Sequence, residues 1–197
     1  PGIRDCLLSR GLGDVYKRQG TVQIGYAREE WTLAAIYTAI QNGDDLITYA
    51  SPFTQASLNT KGMTHAFGLG GSWQVLDEHW IPSISAGWGI NVSDASHNGD
   101  VQTTQSWTAG LEWDNIFMEG TSVGIAVGQP VFATDLKGDD TPNDEQFIWE
   151  AWLRVKVTDA ITVTPALFHL SRPLGQDTPR GETFQQLGGL AKITFNF

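Results

Sequence analysis

The sequence predicts an all-β fold made of antiparallel strands that carry the pattern of a transmembrane β-barrel. Three observations predict it. From residue 20 onward, short segments alternate apolar and polar residues with a period of two, as strands do when their faces meet different surroundings. The connections between these segments are alternately long and short, and the tryptophans and phenylalanines gather near the segment ends.

Nine segments follow one another, each near the roughly 9 to 11 residues that a tilted membrane strand uses. They span Gly20 to Ala27, Trp31 to Ile40, Met63 to Gln74, Trp80 to Val92, Gln102 to Trp113, Ser122 to Phe132, Phe147 to Val157, Ile161 to Leu170, and Thr183 to Phe197. The second carries apolar groups on both parities, Leu33 and Ile36, as the eighth does with Leu167 and Phe168, which points to contact with an internal plug or an inward-folded loop. Pro82 in the fourth and Pro165 in the eighth would each remove a ladder bond. In the fifth, Trp107, Ala109, Leu111 and Trp113 leave Glu112 on the polar side. In the seventh, Phe147, Trp149, Ala151, Leu153, Val155 and Val157 form one uncharged face, with Glu150, Arg154 and Lys156 opposite. The ninth sets Leu187, Gly189, Ala191, Ile193, Phe195 and Phe197 against Lys192, Thr194 and Asn196. A charge facing lipid at mid-depth costs roughly 2 to 4 kcal/mol, so this sorting is what a bilayer selects.

Long connections run from Gln41 to Gly62, Ser93 to Val101, Ala133 to Gln146 and Ser171 to Glu182; short ones are Arg28 to Glu30, Val75 to His79, Asp114 to Thr121 and Thr158 to Ala160. Outer-membrane barrels have short periplasmic turns and longer external loops. With the C-terminus in the periplasm, all four long connections face outside. Trp31, Trp73, Trp80, Trp113, Phe195 and Phe197 then form one interfacial belt, while Tyr37, Phe67, Trp88, Trp107, Trp149 and Phe184 form a second nearer the long loops.

Residues 1–19 do not match the rest. They hold four of the twelve basic residues, the only cysteine and none of the eight tryptophans. The run Asp14-Val15-Tyr16-Lys17-Arg18-Gln19 resembles translated adapter sequence, so the segment reads as a non-native leader and is set aside, with 20–197 as the domain. The net charge of −10 and the absence of Lys/Arg clusters exclude a sequence-independent nucleic-acid binder. One cysteine and four scattered histidines leave no spaced ligand set for a structural metal, and no cofactor motif appears. No Gly-x-Ser-x-Gly elbow, Walker loop or His-Glu-x-x-His occurs, which argues against an enzyme. The acidic stretches Asp94 to Asp100 and Gly138 to Glu145 lack the EF-hand ligand order and read as solvated loops that draw cations to an entrance; divalent ions held there would bridge to lipopolysaccharide or gather iron.

Several blocks resemble the carbohydrate-selective, OprB-like porins of bacterial outer membranes, in the iron-uptake porin branch: Trp80 to Gly89, Gln105-Ser106-Trp107 with Gly110-Leu111, Gly124 to Pro130, Trp149-Glu150, Val157 to Asp159, Ile161 to Ala166, Ser171 to Pro173, Gly181 to Phe184, and the closing Phe-Asn-Phe. The resemblance implies a barrel of about 16 to 18 strands, often trimeric, that passes sugars, ions or other small polar solutes by diffusion. It also implies that the chain is a C-terminal fragment of such a barrel, because nine strands cannot close with both ends on one side of a membrane. Glu112, Glu150, Arg154, Lys156 and Lys192 would line the pore, and Arg172 and Arg180 would lie on a loop at its mouth. The rival reading is a secreted carbohydrate-binding module, which would gather several tryptophans in one exposed groove beside acidic partners. A glycosidase would need two carboxylates about 5 to 10 Å apart in a cleft, and the spacing offers none.

Overall fold

The computed structural model describes residues 19–43, 50–75, 80–138, 141–180 and 184–196. Residues 1–18, His79, Gly181, Glu182, Thr183 and Phe197, all named above, lie outside the described residues, as do parts of the long connections at 44–49 and 139–140. Nine strands run in order: β1 (Gln19–Ala27), β2 (Trp31–Gln41), β3 (Met63–Trp73), β4 (Ser83–Ser93), β5 (Val101–Asp114), β6 (Thr121–Leu136), β7 (Phe147–Thr158), β8 (Ile161–Ser171) and β9 (Gln185–Phe195). They form one open sheet in chain order, every neighbour antiparallel, with β1 and β9 as its edges. A six-residue helix, α1 (Pro52–Ser57), lies in the β2–β3 connection, and a 3-10 turn, Gly175–Asp177, in the β8–β9 connection. No described helix is long and apolar enough to cross a membrane, which says nothing about crossing by strands.

Directly opposed residues of antiparallel strands share a face, so the register shows that the alternation is continuous across the sheet. Phe195 opposes Ile161, and Trp149 opposes His169 and Val127. Leu111 opposes Ile125 and Ile84, Leu69 opposes Trp88 and Ala35, and Ala35 opposes Ile24. One face is therefore apolar from edge to edge. It has no second layer behind it: Ile24, Leu69, Leu187, Ile193 and Phe195 are each more than half exposed. The other face carries Thr, Ser, Gly and all the charged strand residues but Asp135, which opposes Thr103 at the irregular end of β6, with the small side chains concentrated on β3 to β5 (Gly68, Gly70, Ser72, Ser85, Gly87, Gly89, Ser106, Gly110).

Burial concentrates at the end with the long connections. Val101, Ala133 and Leu136 form the buried apolar cluster, with Phe53 of α1 packed on it. Ala133 opposes Thr104, and Thr104 opposes Asn91, so this cluster lies on the polar face. The α1 part of the β2–β3 connection thus folds over that face.

Three expectations change. Strand β4 begins at Ser83, so Pro82 precedes it and costs no ladder bond, and Trp80 stands in the turn before the strand. Strand β6 continues to Leu136, four residues past Phe132, because the polar-looking run Ala133-Thr134-Asp135-Leu136 supplies two members of the buried cluster. Strand β1 starts one residue before the expected Gly20, with Gln19 paired to Ile40. Pro165 behaves as expected: the β7–β8 register resumes in phase but skips Thr164 and Pro165 opposite Leu153 and Arg154. Pro130 is accommodated differently, at a bulge where Pro130 and Val131 fall between the pairs Trp107–Gln129 and Gln105–Phe132, so its missing N–H is not needed.

Candidate functional site

The polar face holds all five charged residues singled out within the strands, Glu112, Glu150, Arg154, Lys156 and Lys192. Glu112 on β5 and Arg154 on β7 are separated by β6, whose residues opposite them are Gly124 and Ser122. Those two are small enough for the long side chains to meet above them, Arg154 Nη1 lying 3.1 Å from Glu112 Oε1. Ser122 Oγ donates to the same oxygen at 2.9 Å. Both partners stay partly exposed, so the pair contributes at most about 1 kcal/mol and mainly fixes two charges in place. Lys156 Nζ reaches Asp159 Oδ1 in the following turn at 2.8 Å, and this bond holds the Asp159 carboxyl below its ordinary range. Glu150 and Lys192 make no ion pair among the described residues and project from the sheet.

Two large rings share this face. Trp152 packs against Gly124 and Phe168 against Gly188, each ring taking the space that a β-carbon would need. The parity of β7 places Trp152 opposite its neighbours Trp149 and Leu153, the one tryptophan of the strands to point this way.

The remaining tryptophans of the strands belong to the apolar side. Trp31 and Trp73 are cross-strand partners with ring centroids 5.9 Å apart at the short-turn end. Trp113 Nε1 donates to the Trp80 carbonyl at 3.2 Å, also at that end, where Phe195 is exposed. Trp88 and Trp107 oppose each other, and Trp107 Nε1 donates to Gln129 Oε1 at 2.5 Å. Trp149 stacks on His169 at 5.8 Å and Tyr37 on His65 at 6.0 Å, both toward the long connections.

The long connections are not the independent solvated loops that their composition indicates. Asp144 is fully buried. Its Oδ2 accepts from Ser51 Oγ (2.6 Å), Thr54 Oγ1 (2.5 Å) and the Ala133 N–H (3.1 Å), and its Oδ1 accepts from the Gln176 N–H (3.0 Å). One carboxylate therefore joins α1, the end of β6, the β6–β7 connection and the β8–β9 connection. Hydrogen bonds to a charged group contribute about 1.5 to 3 kcal/mol each, enough to offset burying it. Arg172 backs the junction, donating to Asn143 Oδ1 (3.1 Å), the Asn143 carbonyl (2.7 Å) and the Gly175 carbonyl (3.2 Å). Arg180 is exposed and joins no such bond among the described residues.

The β4–β5 connection is tied in as well. Asn59 Nδ2 donates to Ser96 Oγ, and Lys137 Nζ donates to the Ala95 and Ser96 carbonyls. The Asp94 carboxylate accepts from the Met63 N–H, and that of Asp100 from the His97 and Ser96 N–H groups, so both help to shape their connections. Those bonds, the His97 one first, hold the Asp100 carboxyl below the usual carboxylate range. No three of His, Cys, Asp and Glu come together as a ligand set among the described residues. Comparison of the chain with protein-family models, curated proteins and solved structures finds no match.

Proposed function

We propose that the sheet is part of an outer-membrane barrel, with the apolar face against lipid and the polar face bordering a water-filled channel for sugars, ions or other small polar solutes. The observation that carries this reading is the single-layer, nine-stranded meander in which one face is largely apolar and uncovered among the described residues while the other takes Glu112, Glu150, Arg154, Lys156 and Lys192. A soluble sandwich would bury that apolar face against a second sheet about 10 Å away. Exposed contiguous apolar surface of this extent marks a membrane or a partner. The polar face runs from Lys192 through Glu150 and the Arg154–Glu112 pair to the small-residue wall of β3 to β5, a surface suited to hydrated solutes. Lipid and lipopolysaccharide are the partners of the outer face in this reading, and the resemblance to OprB-like porins adds a trimer.

Edges β1 and β9 leave backbone donors and acceptors unpaired, which hydrocarbon does not tolerate. Further strands would close the sheet in the membrane. The rival carbohydrate-binding module is disfavoured by tryptophan placement: Trp31, Trp73, Trp88, Trp107, Trp113 and Trp149 spread over one apolar face instead of lining a groove with carboxylates. The test is reconstitution of the full-length protein in planar bilayers, with stepwise conductance and permeability to neutral sugars expected. A correctly folded protein that passes neither would end this proposal.

A further inference from the structure

We infer that Asp144 is a positioning residue which clasps the β2–β3 connection over the polar face, and so sets the width of the opening at the long-connection end. The inference rests on the channel reading above. Matter on the polar face of a sheet that curls around water lies inside the bore. The segment from Ala50 to Leu58 is such matter, since Phe53 seats on Ala133 of that face and Thr54 and Leu58 are buried.

From β6 onward it is held by the Asp144 carboxylate and by Phe53 packing on Ala133 and Leu136. Ser51 serves twice: its Oγ accepts the Thr54 N–H that begins α1 (2.9 Å) and donates to Asp144. Thr54, one turn on, presents its hydroxyl to the same oxygen. Gly175 completes the fit from the other side, in a left-handed conformation (φ 55°) and with no room for a β-carbon between Asp144 and Ser51. Arg172, also left-handed (φ 53°), locks the β8–β9 connection onto Asn143 beside the clasp. A left-handed glycine, a left-handed arginine and one buried carboxylate converge on a short helix that the sheet does not need for its own pairing.

An amide at residue 144 keeps the shape but offers one acceptor oxygen where the clasp uses two, so Asp144→Asn should free the segment without disturbing the strands. The experiment uses the full-length protein in lipid vesicles, with heat-dependent electrophoretic mobility reporting a folded barrel. Hydrogen exchange across residues 50–62 should rise in Asp144→Asn. In liposome swelling, the rate for a trisaccharide relative to glucose should increase roughly twofold or more, because pore diameter sets that ratio whatever the number of channels. Ser51→Ala with Thr54→Val removes two donors while leaving the carboxylate, and should shift both readouts the same way by less. Loosened exchange with an unchanged sugar ratio, in a wild-type protein that conducts, would overturn this inference alone. A wild type that does not conduct removes the channel reading and the inference together, and unchanged exchange in both variants removes the clasp.

Discussion

The α-carbon of Gly175 stands against the Asp144 carboxylate so closely that no β-carbon can be placed between them. Gly175 also has φ 55°, where any other residue but asparagine or aspartate is strained by about 1 kcal/mol or more. Gly175→Ala should therefore lose that amount plus whatever the Gln176 and Ser51 bonds to Asp144 contribute. The loss should appear as early exchange in the β8–β9 connection, whereas Gly99→Ala, at φ 91° but with open space around it, should show backbone strain alone.

Ala151 and Ala126 sit on adjacent strands at similar height but on opposite faces, Ala151 opposing Ile125 and Leu167, Ala126 opposing Glu150 and Gly110. With the apolar face in lipid, Ala151→Arg should cost about 2 to 4 kcal/mol of folding free energy, and Ala126→Arg much less. Urea titration of folding into vesicles measures both. Equal costs would remove the assignment of faces.

Lys192 lacks an ion-pair partner among the described residues, while Lys156 is paired with Asp159. Reversing charge at the unpaired site should change the field more. Lys192→Glu is expected to raise the cation-to-anion permeability ratio further than Lys156→Glu, read as reversal potentials in a salt gradient near 0.1 M. The difference should fade towards 1 M, where the screening length drops from about 10 to about 3 Å.

Asp100 titrates lower in the fold than in the unfolded chain because its carboxylate accepts the His97 and Ser96 N–H groups. A depressed folded value means that its support is complete above the unfolded value, about pH 4, and is lost as pH falls through the lower folded one. Exchange protection at Ser96 and His97 should hold at pH 5 and weaken below about pH 4. Asp100→Asn should weaken it at both.

The strands were legible because period-two alternation is a local property. Val155 and Arg154 declare their faces by type alone, and the bounds of β7 and β8 follow within a residue. The alternation of connection lengths was equally plain. What escaped depends on contacts between connections. Nothing local distinguishes Asp144 from Glu145 beside it, yet the first is buried at a junction and the second exposed. Likewise Ala133 to Leu136 looks like loop until Phe53 covers it, and α1 is too short for a periodic signal. Serine followed by proline at 51–52 is the one hint, since a hydroxyl cap before proline is a common helix start. Arg172 was singled out only through resemblance, and its role is to hold Asn143 and Gly175.

Trp152 over Gly124 and Phe168 over Gly188 tie the fates of distant positions. A methyl group introduced at either glycine would have to evict an indole or a phenyl ring from its seat, and trimming either ring would bare the backbone beneath it. Drift at these sites must proceed by paired exchange, so across descendants of this chain the ring and its glycine should appear or vanish as one character.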